Sequence, residues 1–224
     1  MQSYEVEVKT LLGSEENADT LRRCMHEIDP FTKLISTNTQ LNHYFVEGDL
    51  RKLILAFEPH LSGEAIKKLR YFEIHAQQIS VRTREKDGTV FLVVKASMGD
   101  DTSSNGIARM EFEEKLNMTL EEVDSILLNI GFLYQAKWSR RREEYAFRDV
   151  VVCLDRNAGY GWLAEFEKVV NREEEVEGAR RSVFSLMKTC GLEELPQDRL
   201  ERMFKFYNEH WPEYYGTDKI FTLN

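Results

Sequence analysis

Tyr4-Glu5-Val6-Glu7-Val8-Lys9 places a charge on every second residue. Side chains leave an extended strand on alternate faces, so Glu5, Glu7 and Lys9 share one side while Tyr4, Val6 and Val8 share the other. A half-buried strand with a solvated outer face carries the same pattern, so the stretch decides the fold only if the pattern recurs. It does recur, in strand after strand.

Working outward, residues 79–86 alternate Arg82, Arg84 and Lys86 with Val81, Thr83 and Glu85, and Asp87-Gly88 is a hairpin turn signal. The returning strand, 90–96, is almost wholly apolar, and Lys95 is its one charge. That lysine lies opposite the arginine-bearing strand; a strand-end lysine reaching solvent is the plainer alternative. Arg109-Met110-Glu111-Phe112-Glu113 repeats the alternation. Residues 132–147 and 150–155 read as two strands joined near Arg148-Asp149, carrying Arg140, Arg142 and Asp155, and 160–170 adds Glu165 and Glu167. In the run Trp138 to Tyr145 three arginines are consecutive, so either Arg140 and Arg142 share the charged face or a bulge presents Arg141. Glu143 and Glu144 read as solvent charges.

Between the strands lie helices. Residues 15–28 place Leu21, Met25 and Ile28 at helical spacing, and Pro30 closes the segment. An aromatic-rich strand at 40–47 is followed by helical segments at 49–57 and 62–71. That part of the chain, 48–78, is long for a plain connection, and packing, a lid or a partner surface would each account for it. Thr119 and Glu122 form a capping-box signature for a helix running to Ile130. Beyond Asn171, 173–190 and 197–210 are helical. Roughly eight hairpin-linked strands with amphipathic helices predict an α+β fold: an eight-stranded antiparallel closed β-barrel with a charged lumen and helices packed outside. Residues 1–224 are expected to form a single domain, with the C-terminal helices starting from about 173.

The charged faces argue for a wet lumen. Unpaired charges pointed into a dry core would cost several kcal/mol each, on the order known for buried ions. Charges merely facing bulk water would not need acids to dominate some strands and bases others. Paired carboxylates are hard oxygen ligands suited to Mg²⁺ or Mn²⁺, and Arg and Lys suit a phosphate chain, so acids and bases together suggest a metal-chelated polyphosphate. No GxxxxGK[ST] loop is present to hold phosphate at a helix end.

The composition narrows the setting. The 224 residues are 42% hydrophobic, enough for a substantial core, and 30 Lys and Arg against 39 Asp and Glu give a net charge of −9. That balance predicts no nucleic-acid partner. Cys24, Cys153 and Cys190 lack any metal or disulfide spacing, which predicts a reducing, cytoplasmic setting. No run of about 18 apolar residues occurs and the N-terminus enters a strand at once, so neither a membrane span nor a signal peptide is expected. The histidines His26, His43, His60, His75 and His210 are dispersed, with no spaced metal pair.

The ordered set of motifs resembles the CYTH family of triphosphate tunnel metalloenzymes, which includes thiamine triphosphatases, inorganic tripolyphosphatases and class IV adenylyl cyclases. Glu5, Glu7 and Lys9 match its opening ExExK. Arg82 and Arg84, Lys95, and Arg109, Glu111 and Glu113 are similar to its central strands. Arg140, Arg142 and Tyr145, then Asp155, resemble the KxRxxY element and the aspartate after it, and 159–167 (GYGWLAEFE) resembles its closing motif. The resemblance covers about residues 3 to 170.

It implies a metal-dependent triphosphatase, with ATP cyclisation or non-catalytic polyphosphate binding as alternatives. Glu5, Glu7, Lys9 and Glu111 become candidate catalytic residues. Lys9, Arg82, Arg84, Lys95, Arg109, Arg140 and Arg142 become candidate phosphate binders. Glu5, Glu7, Glu111, Glu113, Asp155, Glu165 and Glu167 become candidate ligands or water-positioning acids for Mg²⁺ or Mn²⁺. The expected partner is a small triphosphate such as tripolyphosphate, thiamine triphosphate or a nucleoside triphosphate. No membrane partner is expected, and assembly as a homodimer stays open.

Overall fold

The computed structural model describes residues 4–76, 78–97 and 108–223, with the side chains of Ser97, Ala108 and Arg109 outside the description. Among the described residues the fold is α+β, with eight strands and six α-helices. The strands are β1 (Tyr4–Gly13), β2 (Lys33–Val46), β3 (Gln78–Lys86), β4 (Thr89–Ser97), β5 (Ala108–Leu116), β6 (Leu133–Phe147), β7 (Val150–Asn157) and β8 (Gly161–Val170). The helices are α1 (Glu15–Ile28), α2 (Leu50–Phe57), α3 (Gly63–His75), α4 (Leu120–Asn129), α5 (Val176–Thr189) and α6 (Gln197–Tyr214). Contacts group them into two compact units. A terminal unit takes the chain up to Thr39 and from Ser139 onward, and a central unit takes the described residues from Gln40 to Trp138 apart from Ala108.

In the terminal unit β6 pairs with β7, β7 with β8 and β8 with β1, all antiparallel. The register sets Glu7 opposite Glu167, Lys9 opposite Glu165, Cys153 opposite Glu165 and Arg142 opposite Asp155. The charged residues of four strands therefore share one face. On the other face Val8, Val152, Leu154 and Phe166 pack with Leu21 and Met25 of α1 and Val183 and Met187 of α5. Helix α1 begins where Ser14 accepts a hydrogen bond from the Asn17 N–H, capping one of its free donors.

In the central unit β2, β3, β4 and β5 pair in that order, again antiparallel. One face of this sheet buries Phe45, Val81, Leu92, Val94 and Phe112 beneath α2, α3 and α4, which contribute Leu53, Ile54, Phe57, Leu69, Phe72, Val123 and Leu127. Segment 48–78 thus supplies packing helices, the plainest of its three expected roles. Helix α4 carries the capping box foreseen at Thr119 and Glu122.

Several boundaries moved, among them the end of α3, which runs to His75 and not 71. Strand β2 begins at Lys33, not at 40, because its first half, KLISTNT, shows neither aromatic enrichment nor a clean alternation; Leu34 and Ile35 are exposed. Helix α6 runs on to Tyr214, past Pro212, and an aromatic group of Tyr160, Phe206, Tyr207, Tyr214 and Phe221 holds its end. The C-terminal chain closes over the β7–β8 turn: the Gly159 N–H donates to the Lys219 carbonyl at 2.7 Å and the Phe221 N–H to the Gly159 carbonyl at 2.8 Å. Gly159 has φ +84° and a Cβ there would lie 2.6 Å from the Tyr207 ring, so both backbone and space demand glycine.

Candidate functional site

The alternation that opens the chain becomes geometry in the terminal unit. One carboxylate oxygen from each of Glu5, Glu7 and Glu167 lies within 4.8 Å of the other two. Such a cluster of oxygens suits a hard divalent cation, whose ligand distances of about 2.0–2.6 Å need donors that close together. Lys9 pairs with Glu7 and lies 3.3 Å from Glu165. The three carboxylates therefore fit a hard divalent cation.

Beside this cluster sits an arginine cradle. Arg142 donates through Nε to Asp155 Oδ1 at 2.7 Å and through Nη2 to Asp155 Oδ2 at 2.6 Å, a bidentate pair. It also pairs with Glu165 and approaches Glu167 Oε1 to 3.5 Å. Arg140 donates to Asp155 Oδ2 at 2.8 Å. Burial pulls the Arg142 guanidinium toward neutrality, but Asp155 and then Glu165 outweigh it and hold the group charged, its pKa well above the ordinary value. Arg141 is exposed, so Arg140 and Arg142 occupy the charged face without a bulge presenting Arg141.

Cys153 joins the same face. Its thiol donates to Glu167 Oε1 at 3.6 Å, and burial, aided by the neighbouring carboxylates against the pull of Arg142, raises its pKa far above the free value.

The central unit has its own charged face. Arg84 donates from Nε to Asn42 Oδ1 at 2.9 Å and from Nη1 to Glu113 Oε2 at 2.7 Å. Arg82, 9% exposed, donates from Nη1 to the Tyr44 hydroxyl at 3.0 Å, while its buried Nε has no acceptor among the described residues. Lys95 lies 3.4 Å from Glu111 Oε2. Burial pushes the Glu111 carboxyl up, but Lys95, then Arg82 and Arg84, overcome that and hold it below its usual value. The Arg109 side chain lies outside the described residues.

Several residues went unread. Gln40 and Asn42 in the central unit, and Asn38 and Glu144 in the terminal unit, are tied into the polar network: Asn38 Nδ2 donates to Glu144 Oε1 at 3.0 Å. The signal was present as an alternation of amides at 38, 40 and 42, but a search keyed to charge passes over it. Glu143 and Glu144 are corrected from solvent charges. Arg22 donates to both Glu143 oxygens at 2.9 Å, anchoring α1 to β6, and Tyr145 donates to Glu143 at 2.8 Å. Tyr160 packs against Tyr207 and Phe221, and Trp162 lies under the Arg22 guanidinium, so both serve packing. His43 is buried in a network with Asp124.

A family model, that of the CYTH domain, matches residues 3–199. No curated protein matches the sequence. Among solved structures, the PH1012 protein of Pyrococcus horikoshii is similar at TM-score 0.60 and 17% identity, covering 88% of this chain and 98% of that one. A conserved hypothetical protein of Pyrococcus furiosus is similar at TM-score 0.60 and 18% identity, with 88% and 98% coverage. A structure described as a putative adenylate cyclase of Vibrio parahaemolyticus is similar at TM-score 0.58 and 17% identity, with 89% and 98% coverage. At these identities the likeness is one of fold.

Proposed function

The chain belongs to the CYTH domain family, and from that premise we propose that it is a metal-dependent triphosphatase, its eight strands closing as a barrel with a charged lumen. The observation that carries the reading is the oxygen cluster of Glu5, Glu7 and Glu167 on the same sheet face as Lys9 and Arg140, with Arg142 given over to holding Asp155. Oxygen donors for a hard cation and guanidinium forks for phosphate, side by side, are what a chelated polyphosphate requires.

In this reading Glu5, Glu7 and Glu167 hold Mg²⁺ or Mn²⁺, which when bound would supply charge neutralisation and polarisation of the phosphoanhydride. The chain's own cations do the gripping. Lys9, Arg82, Arg84, Lys95, Arg109 and Arg140 bind the phosphate oxygens and stabilise charge that spreads over the transferred phosphoryl group. The unaccepted Nε of buried Arg82 supports that role, since a desolvated donor without an acceptor is costly unless a ligand completes it. Asp155, wholly buried beneath Arg140 and Arg142, fixes the angle of both forks. Glu165, Glu111 and Glu113 remain to orient water or to hand their cations to the substrate.

The test is a panel of inorganic tripolyphosphate, thiamine triphosphate and ATP, each with Mg²⁺, Mn²⁺ or a chelator. Metal-dependent release of orthophosphate from at least one triphosphate, lost in Glu167→Gln, is the expected result. Cyclic AMP and pyrophosphate from ATP would replace hydrolysis with cyclisation, and metal-dependent binding without turnover would make the protein a binding module. Neither binding nor turnover with any of them would overturn the reading.

A further inference from the structure

Asp124 lies on α4, 3% exposed, within the apolar contact between that helix and the central sheet. It accepts hydrogen bonds from the Thr83 hydroxyl at 2.7 Å and the Tyr134 hydroxyl at 2.6 Å, and its Oδ2 is 2.6 Å from His43 Nδ1. A buried ionic group of this kind is weak support for stability, because well-packed apolar residues of similar volume commonly do as well or better. Its presence asks for another account.

The strand register supplies one. His43 of β2 and Thr83 of β3 face each other directly, and the pairs on either side of them are Asn42 with Arg84 and Tyr44 with Arg82. Those flanking pairs are the ones in which Asn42 accepts from Arg84 and Tyr44 from Arg82. Side chains alternate, so the pair gripped by Asp124 on the apolar face is the middle rung between two arginine-holding rungs on the charged face. A slip of one residue between β2 and β3 would turn both arginines away.

We infer that Asp124 is a positioning residue: by clamping His43 and Thr83 it fixes the β2–β3 rung that sets the orientation of Arg82 and Arg84 toward the phosphate chain. The inference rests on reading those arginines as phosphate binders. The clamp acts through the backbone of the two strands and touches no substrate.

The experiment pairs Thr83→Val, which removes the hydroxyl at nearly constant shape, with Thr83→Ser, which keeps it, alongside Asp124→Asn. With inorganic tripolyphosphate and Mg²⁺, Thr83→Val and Asp124→Asn should raise KM about tenfold with little change in kcat, and Thr83→Ser should restore wild-type values. Adding Arg84→Ala to Thr83→Val should then cost much less than it does alone, whereas Lys95→Ala should be additive. A second readout needs no ligand: the Arg84 Nε–Hε NMR resonance should broaden in Thr83→Val and Asp124→Asn while that of Arg142 is unchanged. If wild type neither binds nor hydrolyses any triphosphate, the proposed function fails and the resonance alone decides the clamp. Unchanged KM and an unchanged Arg84 resonance in Thr83→Val, or full additivity with Arg84→Ala, would overturn the inference.

Discussion

At Asp155 both carboxylate oxygens are held by Arg142, and Arg140 adds a third bond, with none of the residue left to solvent. Removing one member of such a group leaves the other charge buried and uncompensated. Arg142→Ala is therefore expected to destabilise the fold by about 3–5 kcal/mol, read as a shift in the urea unfolding midpoint at constant slope. Arg82→Ala, which strips a hydroxyl bond and a ring contact with Tyr44 and a longer-range attraction to Glu111, should move the midpoint far less. This divides the basic residues in a way the sequence did not. Alternation told which residues shared a face, since period two is a property of each strand. It did not tell that Arg142 is committed to Asp155 while Arg82 Nε has no acceptor among the described residues, because partners depend on cross-strand register and no local pattern carries that.

Among the elements, α4 shows both what was legible and what was not. Its start at Thr119 and its apolar side were readable from the capping box and from Leu120, Val123 and Leu127 at helical spacing. Asp124 looked like one more polar residue, because the strand hydroxyls and imidazole that receive it come from 41 and 81 residues earlier and 10 residues later in the chain. Burial pushes its carboxyl up, but the bonds from His43, Tyr134 and Thr83 outweigh this, and the pKa lies below its usual 3.8. A folded value below the unfolded one means that the contribution is fully present above about pH 3.8 and is lost as the pH falls through the folded value. Urea midpoints of wild type and Asp124→Asn should thus converge as the pH is lowered from about 5 to about 2.5, and parallel curves would show that the carboxylate is not the group responsible. Glu111, also held low, contributes a similar slope to both proteins, so the difference isolates Asp124.

Over the whole molecule, the count of strands and helices and the apolar sides of the helices followed from periodicity, but neighbour relations did not. Strand β8 returns to pair with β1 from more than half the chain away, and that pairing brings Glu167 to Glu5 and Glu7. A family resemblance supplied the ordering that composition could not. The net charge of −9 would repel a polyanion at long range, so binding must come from local cations. The proposed function makes a strict demand here on each cation it names as a phosphate binder. Calorimetric titration with tripolyphosphate under non-hydrolysing conditions should give one site per chain. Lys9→Ala in the terminal unit and Arg84→Ala in the central unit should each weaken that single event, by about tenfold or more for a lost charge-assisted contact. A substitution that leaves affinity untouched would remove that residue from the proposed phosphate binders even if hydrolysis were observed.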